Sequence, residues 1–120
     1  DPWKAVDLFE EWFERLKLPV GKKISPLAHN WPFDRSFIID WIGDLSFEHY
    51  FDSRYRDSMV AALYLNDRAD HHCERYPFPK VSLSYCCTQL KIEHPHAHEA
   101  LSDCVTTAEI YRRLMHEPTL

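Results

Sequence analysis

Leu27–Ile38 reads "LAHNWPFDRSFI". A short apolar lead-in runs into an Ala-His-Asn turn signal, and an apolar series at helical spacing follows Asp34. The order is strand end, turn, helix start. A carboxylate sits at the mouth of the helix, beside aromatic residues that would pack better without it. Asp is a preferred helix N-cap, so capping alone would account for Asp34. A second acidic residue, near the other end of the chain, poses the same question.

Outward from this stretch the pattern is mostly helical. Asp1-Pro2 reads as an N-cap with Pro at the first helical position, and Val6, Phe9, Phe13 and Leu16 follow at helical spacing. Arg15 and Lys17 suit the last turn, and Pro19 and Gly21 stop the helix. "KKISPLAHN", Lys22–Asn30, is a short strand candidate. A second helix is expected from about Phe33 to Ile42, ending at Gly43. "HYFDSRYRDS" reads as irregular with a brief strand. "SMVAALYLN" predicts a third helix capped by Asp57 or Ser58. "SLSYCCTQLKI" predicts a fourth capped by Ser82, and "HEALSDCVTTAEIYRRLMHE" a fifth.

The chain has 120 residues, enough for one domain and one core. With only 2 glycines, Gly21 and Gly43, Gly-rich phosphate loops are excluded. No apolar run is long enough to span a bilayer, so no membrane role is expected. The acidic, amphipathic start is neither a signal nor a transit peptide. A net charge of −5 argues against a binder held to nucleic acid by counterion release, yet a metal-dependent nuclease needs clustered carboxylates. The 4 cysteines form no C-x-x-C pair, and Cys86-Cys87 suits a buried helix face. Reduced thiols and a cytoplasmic location are the expectation.

On a helical wheel of the last helix, Ala100, Leu101, Cys104, Ala108, Tyr111 and Met115 form the apolar stripe. Thr107, Ile110 and Leu114 extend it on one flank, and Asp103 aligns with that flank. A carboxylate on a buried edge is costly unless it is paired or binds a cation. Asp34 shares its side of the second helix with Phe37, Ile38 and Trp41.

These residues carry a resemblance. "AHNWPFD" before an apolar helix resembles the second motif of the DEDDh 3′–5′ exonucleases, the superfamily of proofreading subunits, RNase T and oligoribonuclease. "HEALSDCVTTAEIYRRL" resembles their third, in which a His precedes an Asp by five positions. "RDSMVAALYLN" and "VSLSYCCTQLKI" match the helices placed between the two. The similarity covers roughly Lys22 to Met115. It implies an α/β, ribonuclease H-like exonuclease fold, of which this chain is the helix-rich C-terminal part with one or two strands.

The resemblance also assigns roles. Asp103 would be a direct ligand of a catalytic Mg²⁺ or Mn²⁺, and Asp34 would support the same metal site. His98 would be the general base for the attacking water. Asn30 would hold the turn and contact substrate, with His29 and Trp31 beside it. The substrate implied is a single-stranded 3′ end of DNA or RNA. Two hard cations with oxygen ligands stand about 3.5–4 Å apart in such sites, and a histidine can take the water's proton. On an ideal helix His98 and Asp103 would point about 140° apart. They share a site only if His98 precedes the helix and folds back, which Pro95 in "EHPHAHEA" allows.

The family's first motif, Asp-x-Glu, is absent from these residues. The resemblance therefore implies a domain incomplete at its N-terminus, with the missing segment or a second chain completing the sheet. The alternative is a non-catalytic nucleic-acid-binding or interaction module of the same descent. With the completing segment missing, uncovered aromatic helix faces would leave the isolated chain aggregated, oligomeric or molten. The histidines with Cys73 suggest zinc, but no C-x2-C pair accompanies them. His94 and His96 read as solvated loop histidines. Trp31 and Phe78 read as base-stacking or core residues, and Arg35, Arg54, Arg56 and Lys80 as phosphate contacts or solvated charges.

Overall fold

A computed structural model describes residues 1–116, so Glu117 of the expected last helix lies outside it. The described residues form six helices and a two-stranded parallel sheet: α1 Pro2–Arg15, β1 Leu27–Ala28, α2 Trp31–Ile42, α3 Asp44–Tyr50, β2 Arg56–Asp57, α4 Ser58–His71, α5 Leu83–Leu90 and α6 Ala100–His116. The fold is mixed α/β and mostly helical. Among the described residues no helix is long and apolar enough to cross a membrane. Contacts divide the chain into two units: residues 1–26 with 32–55, and residues 27–31 with those from Arg56 onward.

The first unit is built on aromatic rings. Asp1 caps α1 by accepting the Trp3 N–H, with Pro2 in the first turn. Phe9 stacks on Phe51, which stacks on Phe47, while Phe13 meets Tyr50 edge-on at 4.7 Å. Rings in such geometry add to the area they bury. Ile24 bridges Phe51 in parallel, the Ile24 N–H donating to the Tyr50 carbonyl and the Asp52 N–H to the Ile24 carbonyl. Gly43, at φ 86°, joins two helices: its N–H closes α2 on the Ile39 carbonyl, and its carbonyl accepts the Phe47 N–H to open α3. α3 was not expected from the sequence, since seven residues are too few for a clear periodic signal.

The second unit holds the aliphatic core. Ala62, Phe78, Cys86, Cys87, Leu90, Ile110 and Leu114 are buried together, with α6 packed on α4, α5 and β1. α4 turns small and polar residues inward, Ser58, Ala62, Asn66 and Ala69. Asn66 ties the loop after α4 by donating to the Phe78 carbonyl and accepting the Phe78 N–H. Ser82 caps α5 by accepting the Tyr85 N–H, as its sequence predicts. Arg113 reaches the Leu90 carbonyl at the end of α5, a group that the helix itself leaves without a partner.

One expectation is corrected here. The face that α6 buries is Thr106, Thr107, Ile110 and Leu114, the expected flank, whereas Leu101 is 79% and Met115 65% exposed, with Ala100, Cys104 and Ala108 also exposed. The helix turns this flank to the core, on which α4 buries Ser58, Ala62, Asn66 and Ala69. The sheet register pairs Leu27 with Arg56 and Ala28 with Asp57. Ala28 and Asp57 are buried but Leu27 and Arg56 are exposed, so the parallel pair has one open face rather than two covered ones.

Candidate functional site

Asp103 lies in the first turn of α6, half-buried, with its side chain about one-third exposed (33%). Its Oδ1 accepts a hydrogen bond from His94 Nε2 at 2.8 Å and one from the His98 backbone N–H at 3.3 Å. A carboxylate can only accept, so the His94 proton at this contact sits on Nε2. Among the described residues Oδ2 receives no hydrogen bond. The charge is felt nearby: burial pushes the Cys87 thiol up, and the Asp103 carboxylate adds to that shift.

The loop before α6 supplies this corner. His98 precedes the helix at φ 72°, a left-handed conformation that histidine adopts more readily than most residues. Its peptide therefore folds back on Asp103, as the five-residue spacing demands. The Glu99 N–H donates to the His96 carbonyl, and the Asp103 N–H to the Glu99 carbonyl at 2.8 Å, which starts the helix. The His98 imidazole is exposed. The reading of His94 as a solvated loop residue is overturned: its side chain is 8% exposed and engages Asp103 directly. The sequence signal for this was faint, a histidine before Pro95 nine positions ahead of the carboxylate.

The other candidates behave differently. Asn30 stands just before α2 at φ 74°, a conformation Asn tolerates, and its N–H donates to Asp57 Oδ1 at 2.9 Å. The substrate roles of its two neighbours are corrected. Trp31 is 5% exposed, which closes its faces to a stacking base. His29 spends both ring nitrogens inside the second unit, on Ser58 Oγ at 2.7 Å and the Val81 carbonyl at 2.6 Å. Because a carbonyl only accepts, Nε2 carries the proton of the bond to Val81. Phe78 is likewise a core residue.

Asp34 sits in the first turn of α2, exposed, where the helix dipole favours a carboxylate. The premise of a buried edge at Asp34 is therefore corrected: Phe33 and Phe37 beside it are exposed too. Asp34 belongs to the first unit and Asp103 to the second. Arg35 lies over the Phe47 ring, and the Asp52 carboxyl is lowered by the Arg54 backbone N–H and then by the Arg54 side chain, which pairs with it at 3.4 Å. Among the described residues no group of three or more His, Cys, Asp or Glu side chains is arranged to hold a metal ion.

The residue that sequence reasoning undervalued is Asp57. It caps α4 by accepting the Met59 and Val60 N–H groups, as expected, and it also accepts the Asn30 and Trp31 N–H groups at the head of α2. No local signal announces that second task. No known family model, curated protein or solved structure gives a significant match to this chain.

Proposed function

We propose that this chain is the C-terminal part of a metal-dependent 3′–5′ exonuclease with a ribonuclease H-like fold, acting on a single-stranded 3′ end of DNA or RNA. The observation that carries the reading is the loop-helix corner at Asp103. The spacing of His98 and Asp103 resembles the third exonuclease motif, and it makes chemical sense only if the histidine leaves the helix and folds back. The left-handed His98, with its N–H on Asp103 Oδ1, supports that condition.

In this reading Asp103 is the metal ligand and His98 the base that takes a proton from water. A divalent ion would supply charge stabilisation at the scissile phosphate. The donor set in these residues does not by itself fit such an ion, since among the described residues no group of three or more His, Cys, Asp or Glu side chains is arranged to hold one. The remaining carboxylates are proposed to come from an Asp-x-Glu strand outside these residues. A second reading is a non-catalytic nucleic-acid-binding or interaction module of the same descent.

The test uses 5′-labelled single-stranded DNA and RNA with Mg²⁺ or Mn²⁺. The chain is assayed as it stands and extended upstream through its own coding sequence. Shortening from the 3′ end by the extended protein, lost in Asp103→Asn, is the expected result. An extended protein that carries the Asp-x-Glu strand and cleaves neither substrate would leave the non-catalytic module.

A further inference from the structure

We infer that His94 is a positioning residue that fixes the Asp103 carboxylate and, through it, the peptide that presents His98. The inference rests on the reading of Asp103 and His98 as site residues. Three observations carry it. The His94 side chain is nearly buried at 8% exposure, and a buried ring nitrogen is kept only where it has a partner. Its Nε2 makes the shorter of the two bonds to Asp103, 2.8 Å against 3.3 Å from the His98 N–H. Both bonds fall on Oδ1.

The arrangement has a consequence for the carboxylate. With two donors on Oδ1, rotation of the Asp103 side chain would break both, so Oδ2 stays on the other side. That oxygen is the one left for a ligand. The same two donors hold the 94–98 loop against α6, which keeps His98 in its left-handed conformation. Without His94, only the weaker His98 contact with Asp103 and the His96–Glu99 turn would hold a backbone that is strained for a non-glycine residue. His96 offers no such tie: its ring is exposed and its nearest approach to Glu99 is 3.9 Å.

The test compares wild type, His94→Ala and His94→Gln. Gln carries an N–H donor at about the reach of Nε2 and serves as the rescue. The first readout is amide hydrogen exchange in the 120-residue chain. His98 exchange should rise roughly tenfold or more in His94→Ala, the scale of one hydrogen bond to a charged group, and return close to wild type in His94→Gln. Ile110 and Leu114 amides, in the core face of α6, should not change, which separates positioning from general loosening. The second readout is kinetics of the extended protein, where His94→Ala should lower kcat with KM little changed and His94→Gln should restore it. His98 exchange unmoved by His94→Ala overturns the inference, as does an equal loss of protection across α6. If the extended protein cleaves nothing, the exonuclease reading falls while amide exchange still decides the role of His94.

Discussion

Asp57 Oδ2 accepts the Trp31 backbone N–H at 2.7 Å, across 26 positions of sequence. The other oxygen, Oδ1, takes the N–H groups of Asn30, Met59 and Val60. One buried carboxylate thus satisfies the first turn of α4 and the head of α2, where the helices themselves supply no acceptor. Asp57→Ala should cost about 3 kcal/mol or more, since it removes a cap and leaves buried N–H groups without partners. Asp57→Asn keeps one accepting oxygen and should fall between. Urea unfolding of the three proteins checks the order, and an Ala variant within about 0.5 kcal/mol of wild type would refute it.

The thiols should divide cleanly. Burial, helped by the neighbouring Cys87, pushes the Cys86 thiol up to about 11, and Cys87 is raised as well. Cys73 and Cys104 are exposed. Only the thiolate reacts with alkylating reagents. At about pH 8, iodoacetamide should label Cys73 and Cys104 in the folded protein and reach Cys86 and Cys87 only after denaturant is added. Mass spectrometry of the tryptic peptides reads the result, and early labelling of the adjacent pair would contradict the packing of α5.

What the sequence disclosed was set by range. Asp1-Pro2, Ser82 and the cap at Asp57 involve a side chain and an N–H two or three residues on, so local chemistry sufficed. Cys86-Cys87 was readable as a buried pair for the same reason. The wheel of α6 placed Asp103 with Thr107, Ile110 and Leu114 correctly, but favoured the larger apolar residues as the core. The choice between two faces of one helix depends on what α4 and β1 present, which no wheel contains. His94 on Asp103, His29 on Val81 and Asp57 on Trp31 are contacts between separate segments, and their residue types also have ordinary roles in loops and caps.

Glu109 should make stability depend on acid. Side-chain hydrogen bonds from Arg112 and Arg113 hold its carboxyl down to about 2, from an ordinary value of 4.5. A carboxyl lowered in the folded state stabilises above its unfolded value and loses that contribution as the proton returns. The Glu109 contribution is therefore complete above about 4.5 and disappears as the pH falls towards about 2. The stability gap between wild type and Glu109→Gln should close across that window. High salt should narrow it wherever Glu109 is charged, because the pair is open to solvent. A gap that widens on acidification would show that Arg112 and Arg113 act elsewhere.

His98 and His96 are two residues apart and both exposed, yet they should differ in effect. In the extended exonuclease proposed above, His98→Ala should reduce turnover by about 10²–10⁴-fold, the range for a general base. His96→Ala should stay near wild type, since its ring only grazes Glu99. The pH–rate profile is the deciding measurement. If His98→Ala leaves its limbs where they were, the proton is taken by another group.

The exposed face of α6 should govern how the isolated chain associates. Leu101 and Val105 lie one turn apart, Ala108 and Met115 continue the row, and all are exposed. The first unit also exposes Trp3, Phe33 and Phe37. Contiguous apolar surface on a soluble protein favours association. Sedimentation velocity of the chain should show concentration-dependent association. Leu101→Lys with Val105→Lys should shift the distribution towards monomer. Neither side chain belongs to the buried face of α6, which is Thr106, Thr107, Ile110 and Leu114. The double variant should therefore keep its unfolding free energy within about 0.5 kcal/mol per substitution, as exposed positions do. A large loss of stability would mean that this face is packed in solution. Unchanged association would move the cause to the aromatic residues of the first unit.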